Sequence, residues 1–192
     1  MERRARDLEL LDLLDPHQGV SFEGEVWRIV REEREPLLGY PAGARWDPGS
    51  FDVLYTSLER EGSLEEIHFH LSRQPVFPSR IRSVLHRISV RTQRTLRIAN
   101  LAELKALGIT PENYGSLTYD RSQEIGDAAA FLGFDGILAP SARWPCQNLV
   151  LFTERFTPAD LSVVSSEPVD WDDWRKRRDA ERKQRERKSA RE

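Results

Sequence analysis

Four polar residues stand at positions that hydrophobic periodicity alone does not explain: Arg45, Tyr55, Glu66 and Ser141. An arginine can hold a phosphate through two parallel hydrogen bonds, which a lysine does less specifically. A tyrosine offers a flat aromatic face and a hydroxyl, and a serine on a loop offers a further hydrogen bond. A carboxylate can stabilise positive charge that develops in a transition state, or orient an attacking group. Together these side chains could serve a catalytic cleft if the fold brings them into one place.

Three of these residues also have an ordinary structural interpretation. Arg45 could be a surface arginine that stacks on its neighbour Trp46, and Tyr55 could be a core aromatic with its hydroxyl in water. Ser141 follows a proline and could be a plain turn residue. The residue types alone leave both interpretations open.

Glu66 has the strongest structural competitor. It lies three residues after Ser63, which is the spacing of a capping box. This pattern predicts a helix over 63–71 with Glu66 in its first turn. The neighbouring Glu65 is chemically identical, so the sequence does not by itself decide which carboxylate faces a cleft.

The elements that must position these residues follow from the spacing of apolar side chains. Helices are predicted over 8–14, 63–71, 101–107 and 121–132. A further, solvated helix is predicted from residue 171 onward. Strands are predicted over 26–30, 51–55, 84–91, 96–98, 136–139, 149–153 and 161–165. The segment 32–50 carries three prolines and three glycines and is predicted to be a loop. This mixture predicts an α+β domain.

Composition excludes several classes of protein. The chain has 192 residues, 39% hydrophobic and 32% charged, which is typical of one folded domain with a charged surface. The formal net charge of -3 gives no general attraction to nucleic acid or to anionic membranes. Neither a signal peptide over 1–15 nor an apolar stretch long enough to span a membrane is predicted.

Cysteine and histidine give little support for a metal site. The single cysteine, Cys146, excludes an intramolecular disulfide and a zinc site built on cysteine pairs, and it fits a reducing cytoplasm. His68 and His70 lie two residues apart, which puts them on different sides of a helix with no third ligand nearby in sequence. No metal ligand is therefore expected.

The polar pieces of the chain occur in a characteristic order. An Arg-Trp pair is followed by a strand ending in Leu-Tyr-Thr, a helical Glu, a Gln-x-x-Gly helix and a Pro-Ser loop, and this order resembles the RES-domain family. The pieces are Arg45-Trp46, Leu54-Tyr55-Thr56, Glu66, Gln123-Glu124-Ile125-Gly126, the segment 136–141 and the segment 148–152. The resemblance runs from about Val26 to Phe152. One departure is Asp47, where the family often has Asn, and it is expected to add a carboxylate near the pocket.

The resemblance implies a fold similar to the ADP-ribosyltransferases: a mixed α+β domain with two small antiparallel or mixed sheets, flanked by helices, around an NAD cleft. It implies an NAD-degrading toxin, a glycohydrolase or phosphorylase that releases nicotinamide in the cytoplasm and requires no cofactor besides its substrate NAD. The implied partner is an Xre-like helix-turn-helix antitoxin, with a homo-oligomer in that complex left open. The chain would divide into an N-terminal helical extension (1–20), the RES domain (21–168) and a charged helical tail (169–192).

The same resemblance assigns roles to the polar residues. Cleavage of the bond from nicotinamide to ribose builds positive charge on the ribose, which Glu66 is expected to stabilise, and Glu66 could also orient the incoming water or phosphate. Arg45 is expected at the pyrophosphate and Tyr55 against the nicotinamide ring, and both are counted with Glu66 as catalytic. The further NAD-binding candidates are Ser141, Arg28 on the first strand, Gln123 and Asn148.

Two alternatives remain open from the sequence. The same cleft could transfer ADP-ribose to a protein if an acceptor side chain replaced water. The segment 175–191 is rich in arginine and lysine, so the chain could instead be a non-catalytic module that binds nucleic acid through this tail. The interspersed Asp179, Glu181 and Glu186 argue against direct nucleic-acid binding and favour a solvated helix docked through Trp171 and Trp174.

Overall fold

The computed structural model describes residues 6–78 and 81–189, and these form a mixed α+β fold. In this part of the chain the helices are α1 (Leu8–Leu14), α2 (Arg60–Leu71), α3 (Leu101–Ala106), α4 (Pro111–Gly115), α5 (Asp120–Phe131) and α6 (Trp171–Ser189). The strands are β1 (Val20–Arg31), β2 (Val53–Ser57), β3 (Ser83–Arg97), β4 (Gly136–Pro140), β5 (Gln147–Phe152) and β6 (Leu161–Val169). The expected α+β class is confirmed.

The six described strands form one sheet in the order β1-β2-β5-β4-β3-β6. Strand β1 also pairs with β3, from Val20 opposite Thr95 to Arg31 opposite Ser83, so the sheet closes on itself like a barrel. Only the β3–β4 pairing is parallel, and β6 lies outside the closed part, along β3. The expectation of two small sheets was therefore wrong, because the long strand β3 joins all the pairings into one sheet.

Strand β3 was predicted as two separate segments, 84–91 and 96–98, and this was wrong. The polar residues between them continue the strand because their hydrogen-bonding groups are satisfied. The Thr92 and Thr95 hydroxyls bond each other at 2.6 Å in the interior. The Asp135 carboxylate accepts from the backbone N–H groups of Gln93 and Arg94 at 2.6 and 2.7 Å.

Helix α2 begins three residues before the predicted capping residue. Glu59 occupies the N-cap position and Arg60 the first turn, so Ser63 lies inside the helix and Glu66 in its second turn. The capping-box interpretation was therefore wrong. The first turn of the helix is tightly packed: a Cβ on Gly62 would lie 2.4 Å from Ser57 Oγ at the end of β2 and 2.6 Å from Cys146 Sγ just before β5.

The other helix boundaries follow the sequence closely, but strand β1 begins at Val20, six residues before its predicted start at Val26. Helices α1, α3 and α5 lie within about a residue of their predicted ranges, and Gly108 and Gly133 follow α3 and α5 with φ of 87° and 82°. Strand β2 is shifted by two residues, to Val53–Ser57, and β6 extends to Val169, four residues further than predicted. The short helix α4 was not predicted, although Thr110 caps it and Pro111 opens it.

Three apolar clusters hold these elements together. The largest packs α1 and α5 against the outside of the sheet and includes Leu10, Leu14 and Ile125. A second fills the space enclosed by the closed strands, with Val26, Leu54, Ile88, Val90, Leu138, Leu149 and Leu151 from β1 to β5. A third joins α2 to α6 through Leu64, Trp171 and Trp174. No helix in the described part of the chain is both long and apolar enough to cross a membrane.

Candidate active site

A cavity of about 210 Å³ opens between α2, the loop before β2 and the loop after β4. It brings together five of the seven residues singled out in the sequence: Arg28, Arg45, Tyr55, Glu66 and Asn148. The other two, Ser141 and Gln123, lie directly behind residues of the cavity wall. The fold thus gathers residues from β1, β2, α2, β5 and two loops at one place.

Glu66 lines the cavity from α2, and two uncharged donors hold its carboxylate. Ser141 Oγ donates to Glu66 Oε1 at 2.8 Å, and Asn148 Nδ2 donates to the same oxygen at 3.1 Å. Neither donor neutralises the carboxylate. The geometry therefore leaves Glu66 oriented and able to respond to positive charge in the cavity.

Ser141 is a turn residue and a partner of the candidate carboxylate at once. Its hydroxyl accepts hydrogen bonds from the backbone N–H groups of Arg143 at 3.1 Å and Trp144 at 3.3 Å, while its proton goes to Glu66. Since the hydroxyl is already engaged in the turn and with the carboxylate, Ser141 is placed to position Glu66. A direct contact from Ser141 to NAD stays a prediction.

Arg45 lies between two tyrosines at the opposite wall. Its guanidinium carbon is 4.6 Å from the ring centre of Tyr114 and 4.8 Å from that of Tyr119. Its Nη2 donates to the carbonyl of Ser116 at 3.4 Å, and its buried Nη1 has no hydrogen-bond partner. The alternative in which Arg45 stacks on Trp46 at the surface was wrong, because Trp46 is itself buried in the core.

The loop that carries Arg45 is built around the carboxylate of Asp47. Asp47 is fully buried and accepts from the backbone N–H groups of Gly43, Ala44 and Gly49 at 2.8, 3.2 and 3.0 Å. Tyr55 Oη donates to the same carboxylate at 2.9 Å. The expectation that Asp47 adds a carboxylate to the pocket was therefore wrong, since its oxygens are used within the loop.

Tyr55 presents its ring to the cavity while its hydroxyl secures the loop. The hydroxyl accepts from the backbone N–H of Trp46 at 2.8 Å as it donates to Asp47. Burial and the adjacent Asp47 carboxylate raise the pKa of Tyr55 well above its ordinary value. Tyr55 therefore stays protonated, and its hydroxyl is not free to contact a ligand in this arrangement.

Helix α5 supports the same loop from behind. Gln123 Nε2 donates to the carbonyls of Gly43 at 3.3 Å and Ala44 at 2.9 Å. A Cβ on Gly126 would lie 1.9 Å from the Trp46 carbonyl oxygen, so only glycine permits this approach. The Gln-x-x-Gly pattern thus positions the Arg45 loop, and a direct role of Gln123 at NAD stays a prediction.

Arg28 is buried in the floor of the cavity, with 5% of its surface exposed. Its Nη2 donates to the Leu38 carbonyl at 3.4 Å, its Nε has no partner, and Tyr40 lies with its ring centre 6.0 Å away. Burial lowers the pKa of Arg28 to about 10, with Tyr40 acting in the opposite direction. A cation so placed favours an anionic ligand.

Comparison with known proteins adds to this geometry. The family model of the RES domain matches residues 25–172. This chain belongs to the RES-domain family. Among curated proteins it is 22% identical, over 84% of its own length and 91% of theirs, to the NAD(+) phosphorylase MbcT of Mycobacterium bovis and of two strains of Mycobacterium tuberculosis. Its fold is similar to that of a chain in the crystal structure of the Mycobacterium tuberculosis MbcT-MbcA toxin-antitoxin complex, with a TM-score of 0.78 and 22% identity. The match covers 86% of this chain and 94% of that chain.

The cavity of this RES domain contains residues that sequence reasoning missed: Tyr40, His70, Tyr114, Tyr119 and Arg143. Of the two tyrosines that bracket Arg45, Tyr114 lies within the unpredicted helix α4 and Tyr119 lies between α4 and α5, so no periodic pattern pointed to them. Burial lowers the pKa of His70, against the opposing effect of Glu66. Arg143 was within reach of a sequence argument because it stands two residues after Ser141.

The described residues of the RES domain contain no group of three or more His, Cys, Asp or Glu side chains that could hold a metal. His68 lies against Trp174, 4.9 Å between ring centres, whereas His70 lines the cavity. The two histidines of α2 therefore face different surroundings, as their spacing predicts.

Proposed function

We propose that this RES domain is an NAD-degrading toxin that cleaves the bond between nicotinamide and ribose, with phosphate or water as acceptor. The observation that carries the proposal is the pairing of Glu66, held by uncharged donors, with Arg45, whose buried Nη1 has no partner, across one cavity. NAD requires both, because its phosphates are anionic and its ribose becomes cationic as nicotinamide leaves. Membership of the RES family and the similarity to NAD(+) phosphorylases support the same substrate.

Glu66 supplies the electrostatic part of the reaction. As the bond from the ribose C1″ to the nicotinamide nitrogen breaks, its electron pair leaves with neutral nicotinamide and positive charge spreads over the ribose. A carboxylate fixed beside that ribose lowers the energy of this state. Ser141 and Asn148 hold the carboxylate in place, so reorganisation at the moment of reaction is small.

The remaining cavity residues bind and orient NAD. Arg45, held between Tyr114 and Tyr119 where it lines the cavity, binds the pyrophosphate. The Tyr55 ring packs against nicotinamide, and Arg28 supplies a second cation from the cavity floor. The cavity then acts as an NAD cleft of the ADP-ribosyltransferase kind.

The setting of this activity is a toxin-antitoxin pair in the cytoplasm. The similarity of fold to a chain of the MbcT-MbcA complex and the free thiol of Cys146 support this setting. We propose an Xre-like helix-turn-helix antitoxin that covers the cleft, with a homo-oligomer in the complex as a further feature. Growth arrest with loss of cellular NAD on expression of this chain, relieved by co-expression of the antitoxin, is the expected result.

The direct test is to incubate the purified chain with NAD, with and without phosphate, and to follow nicotinamide by chromatography. Release of nicotinamide is expected, and no release by the protein freed of antitoxin would overturn the proposal. NAD labelled in its adenylate half distinguishes the acceptors, because label that becomes attached to protein indicates ADP-ribosyl transfer in place of phosphorolysis or hydrolysis.

Two adjacent glutamates provide a matched pair of variants. Glu66→Gln should lower kcat by roughly 100-fold or more, since it removes the charge while keeping the shape and the hydrogen-bonding capacity. Glu65→Gln makes the same chemical change one residue away, where the side chain contacts Arg178 on α6 and not the cavity. Equal rates in the two variants would overturn the role of Glu66 but not the proposed cleavage of NAD.

A further inference from the structure

Two arginines of the cavity are held on consecutive backbone carbonyls after α4. Arg143 Nη1 donates to the carbonyl of Gly115 at 2.9 Å, and Arg45 Nη2 donates to the carbonyl of Ser116 at 3.4 Å. Both guanidinium groups line the cavity. The two cations line one cavity and repel each other, since burial and, after it, Arg45 lower the pKa of Arg143, so the arrangement favours an anion near them.

Arg143 is also tied to the carboxylate that faces the reacting ribose. Its backbone N–H donates to Ser141 Oγ at 3.1 Å, and that hydroxyl donates to Glu66 at 2.8 Å. The Phe69 ring lies 3.5 Å from the guanidinium carbon and fixes the side chain from the other side. Arg28, in contrast, lies on the cavity floor beside Tyr40 and Leu38. Arg143 is therefore the cavity cation that is connected to Glu66, through the Ser141 hydroxyl.

The proposed reaction needs two anionic ligands. NAD brings its pyrophosphate, and phosphorolysis brings a separate orthophosphate that must reach C1″ near Glu66. Arg45 and Arg28 suffice for the pyrophosphate, which leaves Arg143 without an assigned ligand. A water acceptor carries no charge and would gain little from this guanidinium, whereas a phosphate dianion gains charge-assisted hydrogen bonds from it.

We propose that Arg143 binds orthophosphate as the acceptor and so determines phosphorolysis over hydrolysis. The inference rests on the proposed NAD cleavage. The oxygen of HPO₄²⁻ forms a bond to C1″ while the bond from C1″ to the nicotinamide nitrogen breaks and its electron pair leaves with nicotinamide. The products are nicotinamide and ADP-ribose 1″-phosphate, and no further reactant is needed. Glu66 orients the ribose, and Arg143 holds the acceptor phosphate against the repulsion of that carboxylate.

The test measures the ratio of ADP-ribose 1″-phosphate to ADP-ribose across a phosphate titration, for wild type and for Arg143→Gln. The variant should raise the KM for phosphate by roughly tenfold or more, as expected for loss of a charged hydrogen bond. Its product should shift to ADP-ribose, and its KM for NAD should stay within about threefold. Arg143→Lys should recover part of the phosphate affinity, because lysine keeps the positive charge but lacks the paired N–H donors of the guanidinium group.

Arg73→Gln is the matched control. Arg73 also lies over Phe69, 5.7 Å from its ring centre, but it is exposed and does not line the cavity. It should keep the wild-type phosphate KM and product ratio. Stabilisation against thermal unfolding by orthophosphate in the presence of a non-hydrolysed ADP-ribose product gives a second readout, equal in wild type and Arg73→Gln and smaller in Arg143→Gln.

The possible failures are distinguishable. An unchanged phosphate KM in a folded Arg143→Gln protein, or an equal rise in both KM values, overturns the acceptor site and leaves NAD cleavage intact. A wild type that releases nicotinamide but forms only ADP-ribose at every phosphate concentration does the same. A wild type that releases no nicotinamide under any condition overturns the proposed function and this inference with it.

Discussion

The two walls of the cavity are held in place in different ways. The arginine wall is the loop from Gly43 to Gly49, which carries Arg45 and is built around the fully buried Asp47. Its hydrogen bonds run mostly from side chains to the backbone: Asp47 binds three N–H groups of the loop, and Gln123 binds two of its carbonyls. The Asp47 side chain is out of solvent, whereas the Gln123 bonds are partly exposed, and all these contacts lie within the segment that the RES model matches.

The carboxylate wall is helix α2, which rests on helix α6. Trp174 Nε1 donates to Glu61 at 3.0 Å, and Arg178 Nε donates to Glu65 at 2.5 Å. The Arg178 side chain is 35% exposed, and most of α6 lies beyond residue 172, where the RES match ends. Salt weakens an ion pair between two side chains when one of them is partly exposed, and so does a change of pH that neutralises either partner; the bonds to the fully buried Asp47 are less accessible to both.

Because the two walls are held by different contacts, the two halves of one site can be perturbed separately. The arginine wall should fail only through steric or buried polar changes, with large losses of stability. The carboxylate wall should respond to smaller changes of charge in a helix that contacts no ligand.

Gly126→Ala should have the largest effect. The new Cβ would lie 1.9 Å from the Trp46 carbonyl oxygen, so α5 and the Arg45 loop must separate. The free energy of unfolding should fall by about 3 kcal/mol, even though alanine favours the helix. Urea denaturation measures it. A rise in the KM for NAD is expected in the fraction that folds, because Arg45 moves with the loop.

Gly115→Ala is the control for this steric effect. A Cβ there meets no atom within 4 Å, so its free energy of unfolding should stay within about 0.5 kcal/mol of wild type. Similar losses in the two glycine variants would contradict the close contact of α5 with the arginine wall.

Tyr55→Phe should come second. It removes the hydroxyl that joins Trp46 N–H to Asp47, which leaves a buried donor unpaired and a buried carboxylate with one partner fewer. The expected loss is about 2 kcal/mol of unfolding free energy. Tyr40→Phe, on an exposed tyrosine of the same cavity, should change it by less than about 0.5 kcal/mol. If Tyr55→Phe were as stable as Tyr40→Phe, the arginine wall would not depend on this hydroxyl.

The sequence predicted the elements of the arginine wall better than their contacts. Periodicity placed α5 and its terminal Gly133 because one face of that helix is apolar. The use of Asp47 inside the loop depends on three backbone N–H groups that converge only in the folded turn. No pattern of residue types carries that information, so Asp47 was misplaced in the pocket.

The carboxylate wall was predicted for a different reason than the one the structure shows. Glu66 was chosen by family order, but the capping box that was to start its helix does not form, because α2 already begins at Arg60. Which of Glu65 and Glu66 faces the cavity follows from the rotation of the helix against β2 and α6. That rotation is set by tertiary packing of Leu64 and Trp174, which a local pattern does not reveal.

Arg178→Gln should have a smaller effect on the carboxylate wall. Loss of the Arg178 guanidinium leaves Glu65, which is only 8% exposed, without its cation. The free energy of unfolding should therefore fall by about 1 kcal/mol. Added salt should destabilise wild type more than the variant. Arg177→Gln breaks an exposed pair with Asp173 four residues away and should cost about 0.3 kcal/mol. Equal losses and equal salt responses would show that α6 does not brace α2.

The smallest expected effect is the dependence of stability on pH at the same contact. Burial and then the neighbouring Arg178 lower the pKa of His68, while Glu65 acts in the opposite direction. The unfolded chain, with an ordinary histidine pKa of about 6.5, therefore binds more protons than the folded chain just below that pH. Stability is fully present above that pH and falls as the solution is acidified through it, to which His70 and His86 add in the same direction.

Arg178→Gln should make this pH dependence shallower. The variant removes the cation that lowers the pKa of His68 and frees the Glu65 carboxylate that raises it, so both changes bring the folded pKa nearer to the unfolded one. Urea midpoints at pH 7.5 and at about pH 5.5 measure the difference for wild type, Arg178→Gln and Arg177→Gln. An identical slope in all three would mean that the charge of α6 does not reach α2. A slope reduced only in Arg178→Gln would place the pH-sensitive contact on the carboxylate wall, because the arginine wall is unchanged in both variants.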